Sequence, residues 1–353
     1  MKNNDKKNAS LILASYFDTL GFNNGNWEFN FNTELPSLKD GSVMNQEIYY
    51  NYLYLGGANI DISEWNASDD TILMIATMKA CDKGGKKNDY REEYLKVLPL
   101  LKDEEKRGSG FTTLRSLDLV KQNQKIYYDK SMGGNGPASR TSYIGIKHHD
   151  NIDEIIKQSI RASRITHNHP IGFLGGLVTA LFTSYAYNNI DPFEWSKKLL
   201  ELYNSNKIDD YMKDKSIYEK YKLDSEVFWD LWYQFNDDRL NGYKYKTKKY
   251  LFNINRLLDL EKYMLAVKSK TNYGNFGGSG VGAVIYAYDC ILTSYNFDTK
   301  KYNFELLKTI STLHFGDNDT TGAIAGCWFG ALTGFEYFDK NIINMLEFKD
   351  ELL

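Results

Sequence analysis

Two acidic turns, each followed directly by an apolar helix pattern, most strongly constrain how this chain can fold. In residues 313–330, LHFGDNDTTGAIAGCWFG, Asp317 and Asp319 stand just before a stretch without charge. Small, uncharged residues of this kind predict a helix that is buried on most sides. Carboxylates at its start need a positive partner, because two like charges about 4 Å apart repel by roughly 4 kcal/mol at an effective dielectric of 20.

The same order of residues recurs near the other end of the chain. Ser68, Asp69, Asp70 and Thr71 precede an apolar helix that we predict at residues 72–80. The hydroxyls of Ser68 and Thr320 suit either helix caps or metal ligands. If the two turns meet, their four aspartates form an all-oxygen cluster suited to a hard divalent cation, Mg²⁺ or Mn²⁺. The alternative is two separate, capped helix starts.

Charge and cysteine usage narrow the functional class. Lys and Arg number 43 against 46 Asp and Glu, so there is no electrostatic argument for nucleic-acid binding. Cys81, Cys290 and Cys327 are scattered in apolar patterns, which favours free thiols in a reducing compartment. A very short apolar run after the basic start argues against a signal peptide, and we expect a cytoplasmic protein. The uncharged runs at residues 171–187 and 320–335 predict buried helices and no membrane partner.

Helical periodicity dominates the rest of the chain, with little strand-like alternation, no heptads and no internal repeat. Residues 30–65 are polar with scattered apolar residues, and we predict that they form a loop region. The pattern therefore predicts one all-α domain over residues 1–353 with long functional loops. Further helices are predicted at residues 9–20, 90–102, 112–121, 137–146, 152–164, 191–206, 218–235, 250–267, 281–292 and 306–313.

Two glycine-rich loops each stand before a predicted helix. Backbone N–H groups in such loops can bind a phosphate, so the two loops together predict a pyrophosphate site, with plain turns as the alternative. The first loop follows no predicted strand and neither carries a Gly-Lys-Ser/Thr sequence, so a dinucleotide fingerprint and a P-loop are not supported. The loop residues considered are Gly133, Gly134, Asn135, Gly136 and Ser139 in the first, and Gly277, Gly278 and Ser279 in the second.

Two histidines and one glutamate are further candidates. His167 and His169, without a Cys or a third His nearby, are predicted to be caps or substrate contacts rather than metal ligands. Glu28 lies between Trp27 and Phe29. If it is buried, its pKa rises and it can act as an acid or a base; otherwise it is an exposed loop glutamate.

Eight short segments are spread over nearly the whole chain: FDTLG at 17–21, NGNWEF at 24–29, SDDT at 68–71, GGNGPASR at 133–140, RITHNHP at 164–170, GGSG at 277–280, AYDCIL at 287–292 and GDNDTTGAIAG at 316–326. In this order they resemble the ADP-ribosylglycohydrolase family, and most closely its ADP-ribosylarginine hydrolase branch. Four positions depart from the usual family pattern: Phe17 and Phe315 where glycines are usual, Pro137 at a normally small position, and Asn318. The two Phe residues put substrate fit in question.

The resemblance implies an all-helical fold with two Mg²⁺ ions, or Mn²⁺, on the floor of a cleft. Glu28, Asp69 and Asp70 would be the candidate acids or bases of the reaction. His167 and the glycine-loop residues named above would contact ADP-ribose. The implied metal ligands are Ser68, Asp69, Asp70, Asp317, Asp319 and Thr320.

The function that the resemblance implies is a Mg²⁺-dependent hydrolysis that removes ADP-ribose from arginine side chains of modified proteins. The expected partners are ADP-ribosylated proteins and ADP-ribose, and the expected state is a monomer. Two alternatives remain at this point. One is an inactive protein that only binds ADP-ribose, and the other is a hydrolase for serine-linked or acetyl-linked ADP-ribose.

Overall fold

Helices account for almost all regular structure in the computed structural model, which describes residues 3–28, 38–241, 254–271, 273 and 275–353. One short antiparallel pair, β1 Tyr295–Asn296 and β2 Lys301–Tyr302, is the only sheet among these residues. The predicted all-α class is confirmed. The helices are α1 Asn3–Phe22, α2 Leu38–Tyr54, α3 Asp69–Lys83, α4 Lys87–Leu101, α5 Glu104–Arg107, α6 Phe111–Lys121, α7 Gly136–Arg140, α8 Ser142–Lys147, α9 Ile152–Ser163, α10 Pro170–Tyr187, α11 Trp195–Asn204, α12 Lys207–Met212, α13 Tyr218–Phe235, α14 Ile254–Leu265, α15 Gly280–Ser294, α16 Phe304–Thr312, α17 Asn318–Thr333 and α18 Lys349–Leu352.

Close packing of α1 against α17 sets the position of the site. Gly322, Gly326 and Gly330 recur every fourth residue and so lie on one face of α17. A Cβ at Gly326 would overlap the carbonyl oxygen of Leu13, and one at Gly330 would overlap that of Ala9. The two helices therefore run antiparallel with their backbones in contact. This arrangement brings the end of α1 beside the start of α17.

Helix α10 forms the centre of the structure and packs against α7, α8, α9, α15 and α17. It is long and apolar enough to cross a membrane, but 94% of its apolar window is buried inside the protein. Glycine again allows close contact, since a Cβ at Gly175 would lie 2.5 Å from the carbonyl oxygen of Gly280 in α15. The prediction of a buried helix at residues 171–187 is confirmed.

The single helix predicted at residues 137–146 is wrong, because the chain forms two short helices there. Helix α7 ends at Arg140 and α8 begins at Ser142. Between them Thr141 leaves the helical region, and its hydroxyl donates to the carbonyl oxygen of Gly176 at 2.7 Å. A tertiary hydrogen bond to α10 thus breaks a segment whose local pattern favours one helix.

The predicted loop at residues 30–65 is also wrong in part, because α2 occupies residues 38–54. Its buried stripe is narrow: Ile48 and Tyr52, four residues apart, are buried, while their neighbours Tyr49 and Tyr50 are exposed. A mainly polar helix of this kind gives a weak periodic signal. Helix α12 was likewise not predicted. The segment predicted as a helix at residues 191–206 begins with a 3-10 turn at Pro192–Glu194. Of the helix predicted at residues 250–267, residues 250–253 lie outside the described residues.

Candidate active site

Six acidic side chains from three separate parts of the chain converge at the end of α1 and the starts of α3 and α17. One carboxylate oxygen from each of Asp18, Asp70 and Asp319 lies within 4.8 Å of the others, and the same holds for Glu28, Asp317 and Asp319. Asp319 belongs to both groups. The two acidic turns therefore meet, which the sequence left open. The acids are Asp18, Glu28, Asp69, Asp70, Asp317 and Asp319, and all are buried except Glu28, which is partly exposed.

Hydroxyl groups from two other segments fix the carboxylate of Asp70. Thr320 Oγ1 donates to Asp70 Oδ2 at 2.6 Å, and Ser139 Oγ donates to Asp70 Oδ1. Ser139 belongs to the first glycine loop, so that loop is attached directly to the acidic cluster. The first glycine motif and the acidic turns therefore belong to one site.

Asp18 is a member of the cluster that the sequence reasoning did not select. Its carboxylate accepts hydrogen bonds from Ser68 Oγ at 2.6 Å, from Thr71 Oγ1, and from the N–H groups of Ser68 and Thr71 at 3.2 Å. The available signal was an aspartate inside the apolar helix α1, between Phe17 and Leu20. A buried acid in such a helix requires partners.

The hydroxyl of Ser68 caps α3, because it accepts a hydrogen bond from the N–H of Asp70 at 3.1 Å. It also donates to Asp18, so both roles tie the start of α3 to α1. Thr320 lies in the first turn of α17, and its hydroxyl donates to Asp70. The carboxylate of Asp69 belongs to neither of the two close groups.

Burial raises the pKa of every acid in the cluster, and neighbouring carboxylates add to this rise for each of them except Asp70. Burial, followed by the charge of Asp70, raises the pKa of Asp18 to about 7 and that of Asp317 to about 6, although hydroxyl donors partly offset the shift. The pKa values of Glu28, Asp69 and Asp319 are also raised by burial and then by neighbouring carboxylates. Without a counter-charge the cluster therefore resists ionisation.

The donor set fits divalent cations. Asp317 Oδ1 is buried and has no hydrogen-bond partner among the described residues. An orphaned carboxylate oxygen at this depth is costly unless a cation meets it. Two groups of hard oxygen donors that share Asp319 have the chemistry that Mg²⁺ and Mn²⁺ prefer.

One buried arginine supplies positive charge beside the cluster. Arg140 is fully buried, its Nη2 donates to Thr166 Oγ1 at 2.5 Å, and its guanidinium lies 4.9 Å from the ring centroid of Tyr94. Its charge lowers the pKa of Asp69 and Asp70 and partly offsets their burial. Arg140 ends the GGNGPASR segment, and the sequence pattern alone assigns it no role.

The two glycine loops pair with each other. The N–H of Asn135 donates to the carbonyl of Gly278 at 3.2 Å, and the N–H of Gly280 donates to that of Gly133 at 3.0 Å. Asn135 Nδ2 also donates to the carbonyl of Gly277 at 2.9 Å. The second loop adjoins the acids as well, since a Cβ at Gly277 would lie 3.1 Å from that of Asp317. The loops thus form one surface at the edge of the cluster.

The two predicted histidines have different surroundings. His167 is buried, its Nδ1 lies 2.8 Å from Thr166 Oγ1, and a Cβ at Gly136 would lie 3.2 Å from its Cε1. Burial and the charge of Arg140 lower its pKa well below the usual value, so the imidazole is neutral. His169 is the N-cap of α10, where Nδ1 accepts from the N–H of Ile171 at 3.2 Å. The prediction of a cap is confirmed for His169.

Glu28 follows α1 and reaches Asp317 and Asp319. Its Oε2 would lie 2.7 Å from a Cβ at Gly108, so a glycine is needed there to leave room. The preceding residue, Trp27, lines a cavity of about 540 Å³ together with Trp65 and several asparagines. Phe29, the other aromatic neighbour considered in the sequence, lies outside the described residues.

The two Phe residues that raised doubt about substrate fit pack in the aromatic core. The ring of Phe17 lies 5.7 Å from that of Phe304, and the ring of Phe315 lies 5.1 Å from that of Phe276. Both are buried. The larger side chains at these two positions are therefore accommodated by packing against the rings of Phe304 and Phe276.

Comparisons with known proteins agree with this arrangement. A family model described as ADP-ribosylglycohydrolase matches residues 18–353. Over 379 residues the chain is 32% identical to the ADP-ribosylhydrolase ARH1 of Dictyostelium discoideum, covering 98% of this chain and 91% of that protein. It is also 32% identical over 340 residues to a protein of Acanthamoeba polyphaga mimivirus named as an ADP-ribosyl glycohydrolase, covering 91% of this chain but only 62% of that longer relative.

A solved structure has the same fold. It is titled an ADP-ribosylglycohydrolase-related protein complex and matches with a TM-score of 0.57 at 16% identity, covering 99% of this chain and 95% of the other. At this identity the likeness supports the fold alone.

Proposed function

This chain belongs to the ADP-ribosylglycohydrolase family, and from that premise we propose that it is a Mg²⁺-dependent hydrolase that removes ADP-ribose from arginine side chains of modified proteins. The observation that carries the proposal is the joining of two acidic turns and two glycine loops into one site, through the contacts of Asp70 with Thr320 and Ser139. We further propose that residues 1–353 act as one domain.

The residues that would hold the cations are Asp18, Asp70 and Asp319 in one close group and Asp317 and Asp319 in the other, whose third acid, Glu28, is assigned below to proton transfer. When bound, the cations would neutralise these carboxylates and supply Lewis-acid chemistry to ribose hydroxyls and a water. Ser68, Thr71, Ser139 and Thr320 keep the carboxylates oriented through their hydroxyls. Asp69, at the same helix start, remains a candidate ligand or base.

We assign the pyrophosphate of ADP-ribose to the paired glycine loops. Pairing uses the N–H groups of Asn135 and Gly280, which leaves those of Gly134 and Gly136 for the phosphates. The absence of side chains at these glycines lets a phosphate approach the backbone closely. His167, neutral and adjacent to Gly136, can donate or accept a hydrogen bond to the ligand.

Proton transfer is assigned to Glu28. It is the one partly exposed acid of the cluster, and its raised pKa makes it suitable as a general acid or base near neutral pH. Asp70 is held by three neighbouring groups and is suited to a fixed ligand role. An oxocarbenium-like transition state would be stabilised by the surrounding carboxylates, as in other glycosidic cleavages.

The choice of arginine rests on residues 24–29, NGNWEF, which resemble the arginine branch of the family, and on the similarity to the Dictyostelium ADP-ribosylhydrolase. The cavity beside Trp27 and Trp65 is large enough for the modified side chain and its peptide. Two aromatic rings at its wall would suit the planar guanidinium.

The test compares peptides carrying arginine-linked and serine-linked ADP-ribose, with O-acetyl-ADP-ribose as a third substrate, in Mg²⁺. The proposal expects release of ADP-ribose from the arginine peptide to be the fastest of the three. Faster release from serine or acetyl would assign another leaving group. Binding of ADP-ribose in calorimetry without release from any substrate would identify an inactive binding protein.

A further inference from the structure

A second pocket, which we name the basic pocket, lies between α4, the loop at residues 120–128, α9 and the turn after α12. Its volume is about 670 Å³, which is in the range of small-ligand sites. Among the described residues that line it, seven are Lys or Arg and none is Asp or Glu. The whole chain has a net charge of −3, so this concentration of cations is local. The cations are Lys87, Arg91, Lys125, Arg161, Arg164, Lys215 and Lys220.

Within the part of the chain that the structure describes, these cations lack acidic partners. None of the seven forms an ion pair with an Asp or Glu in the described part of the chain. The acids on nearby helices pair with other lysines: Glu154 with Lys157, Asp210 with Lys213, and Asp209 with Lys222. The positive charge of the basic pocket is therefore not neutralised within the described residues.

The crowding affects individual groups. Burial and then the charges of Arg91, Arg164 and Lys125 lower the pKa of Lys87. Lys87 and Lys125 are exposed, whereas Arg91 and Arg164 are half-buried. These four cations lie around one concavity, although exposed side chains of like charge could separate in solvent. A bound anion would offset their mutual repulsion.

The arginines are positioned to donate. Arg164 Nε donates to Asn168 Oδ1 at 2.8 Å, which holds the guanidinium, while its two terminal nitrogens have no hydrogen-bond partner among the described residues. Arg161 is held through Nη1 by the carbonyl of Gly85 at 2.5 Å. Arg91 Nη2 makes two long contacts, at 3.4 Å with the carbonyl of Val120 and at 3.5 Å with Asn123 Oδ1. Fixed guanidinium groups with free N–H donors are well suited to phosphate oxygens.

From this cluster we infer that the basic pocket binds a small polyanion built from several linked phosphates, such as inorganic tripolyphosphate or the triphosphate of a nucleotide. Linked phosphates place several negative charges within one concavity, whereas an acidic peptide carries one charge per residue along about 3.3 Å of chain. A nucleic-acid strand needs an open groove that follows its backbone. The basic pocket is a concavity rather than an extended groove, which favours the compact anion.

The basic pocket contains none of the six clustered acids, but its lining contacts the segment beside the first glycine loop. Asn168 lines the basic pocket and directly follows His167. Tyr128, also in the lining, stacks on His169 with ring centroids 5.2 Å apart, and His169 Nδ1 would lie 3.5 Å from a Cβ at Gly133. A ligand in the basic pocket would therefore border the segment that positions the first glycine loop.

The test is calorimetric titration of the whole protein with tripolyphosphate, and separately with ATP, in excess chelator, so that cations in the acidic cluster cannot contribute. We expect binding that weakens as salt rises. The variant Lys87→Glu/Arg91→Glu should lower affinity at least about tenfold for both anions, the value of one charge-assisted hydrogen bond. The matched control, Lys197→Glu/Lys301→Glu, makes the same charge change at exposed sites elsewhere and should bind as the unmodified protein does.

Three results would overturn the inference: no binding of tripolyphosphate, equal affinity in the Lys87→Glu/Arg91→Glu variant, or tighter binding of an oligoglutamate peptide than of tripolyphosphate. Circular dichroism verifies that each variant is folded. If the first variant fails to fold, Lys125→Glu/Lys220→Glu replaces it, since both side chains are exposed. The chelator makes the outcome independent of the proposed hydrolase activity.

Discussion

Thr320 Oγ1 donates a hydrogen bond of 2.6 Å to Asp70 Oδ2, which joins two residues 250 positions apart in the chain. Both lie at the start of a helix, Asp70 in α3 and Thr320 in α17. The bond fixes the distance between the two acidic turns. It makes the cluster depend on the packing of whole helices rather than on either turn alone.

Thr320→Val should remove this bond while keeping the side-chain shape. The buried carboxylate of Asp70 then loses a donor, and we expect the free energy of unfolding to fall by about 1–3 kcal/mol. Urea denaturation in chelator measures the loss. Thr320→Ser, which keeps the hydroxyl, is the control and should recover most of the stability; equal losses in both variants would mean that the bond contributes nothing.

Glu28→Gln tests the assignment of proton transfer. We expect the fold, the cation content and the affinity for ADP-ribose to be kept, while turnover falls by about 10²–10⁴-fold, the usual contribution of acid–base catalysis. Glu64→Gln is the matched control, since Glu64 is exposed and belongs neither to the cluster nor to the lining of the cavity. Near-normal turnover in Glu28→Gln would remove this residue from the mechanism and leave the aspartates.

The raised pKa values predict how the stability of the cation-free protein depends on pH. The folded protein holds protons on Asp18 up to about pH 7 and on Asp317 up to about pH 6, whereas the unfolded chain releases them near pH 4. Because the folded state binds more protons in this window, stability must fall as pH rises from about 4 to 7. Thermal unfolding in chelator should show this decline, and Mg²⁺ should reduce it.

Asp18→Asn provides the control for that titration, because it removes one raised pKa without changing the shape of the side chain much. Its cation-free stability should decline less between pH 4 and 7 than that of the unmodified protein. A stability that rises over this range in chelator would contradict the crowding of the acids.

The contact between α1 and α17 can be tested at Gly326. A Cβ there overlaps the carbonyl oxygen of Leu13, so Gly326→Ala should destabilise the protein by about 1–3 kcal/mol and weaken cation binding by moving Asp18 from Asp319. Gly110→Ala is the matched control, because a Cβ at Gly110 meets nothing within 4 Å. Urea denaturation of both variants measures the change in stability, and Mn²⁺ titration measures the change in cation affinity. Equal stability in the two would show that the helices are free to separate.

Much of this arrangement was present in local sequence patterns. The acidic turns, the glycine loops and the buried helices at residues 171–187 and 320–335 could be predicted, because each depends on residues close together in the chain. The cap role of His169 was also among the predictions. These features follow from local hydrogen bonding and from the need to bury apolar surface.

The contacts between segments could not be predicted in the same way. Asp18 joins the cluster only because glycines in α17 allow α1 to approach, and the pairing of Asn135 with Gly278 depends on helices α7 and α15 lying side by side. Arg140 likewise acquires its role from burial beside Asp69 and Asp70. Helix α2 was missed because, among residues 46–54, where burial is described, only Ile48 and Tyr52 are buried.

The most direct test of the account is the number of cations that the cluster holds, because Asp319 is placed in both groups of acids. Titration with Mn²⁺, followed by electron paramagnetic resonance, should give two bound ions per chain in the unmodified protein. Asp319→Asn should lose both ions and, with them, the release of ADP-ribose from arginine. Retention of both ions by Asp319→Asn, or full activity of the unmodified protein in excess chelator, would contradict the account.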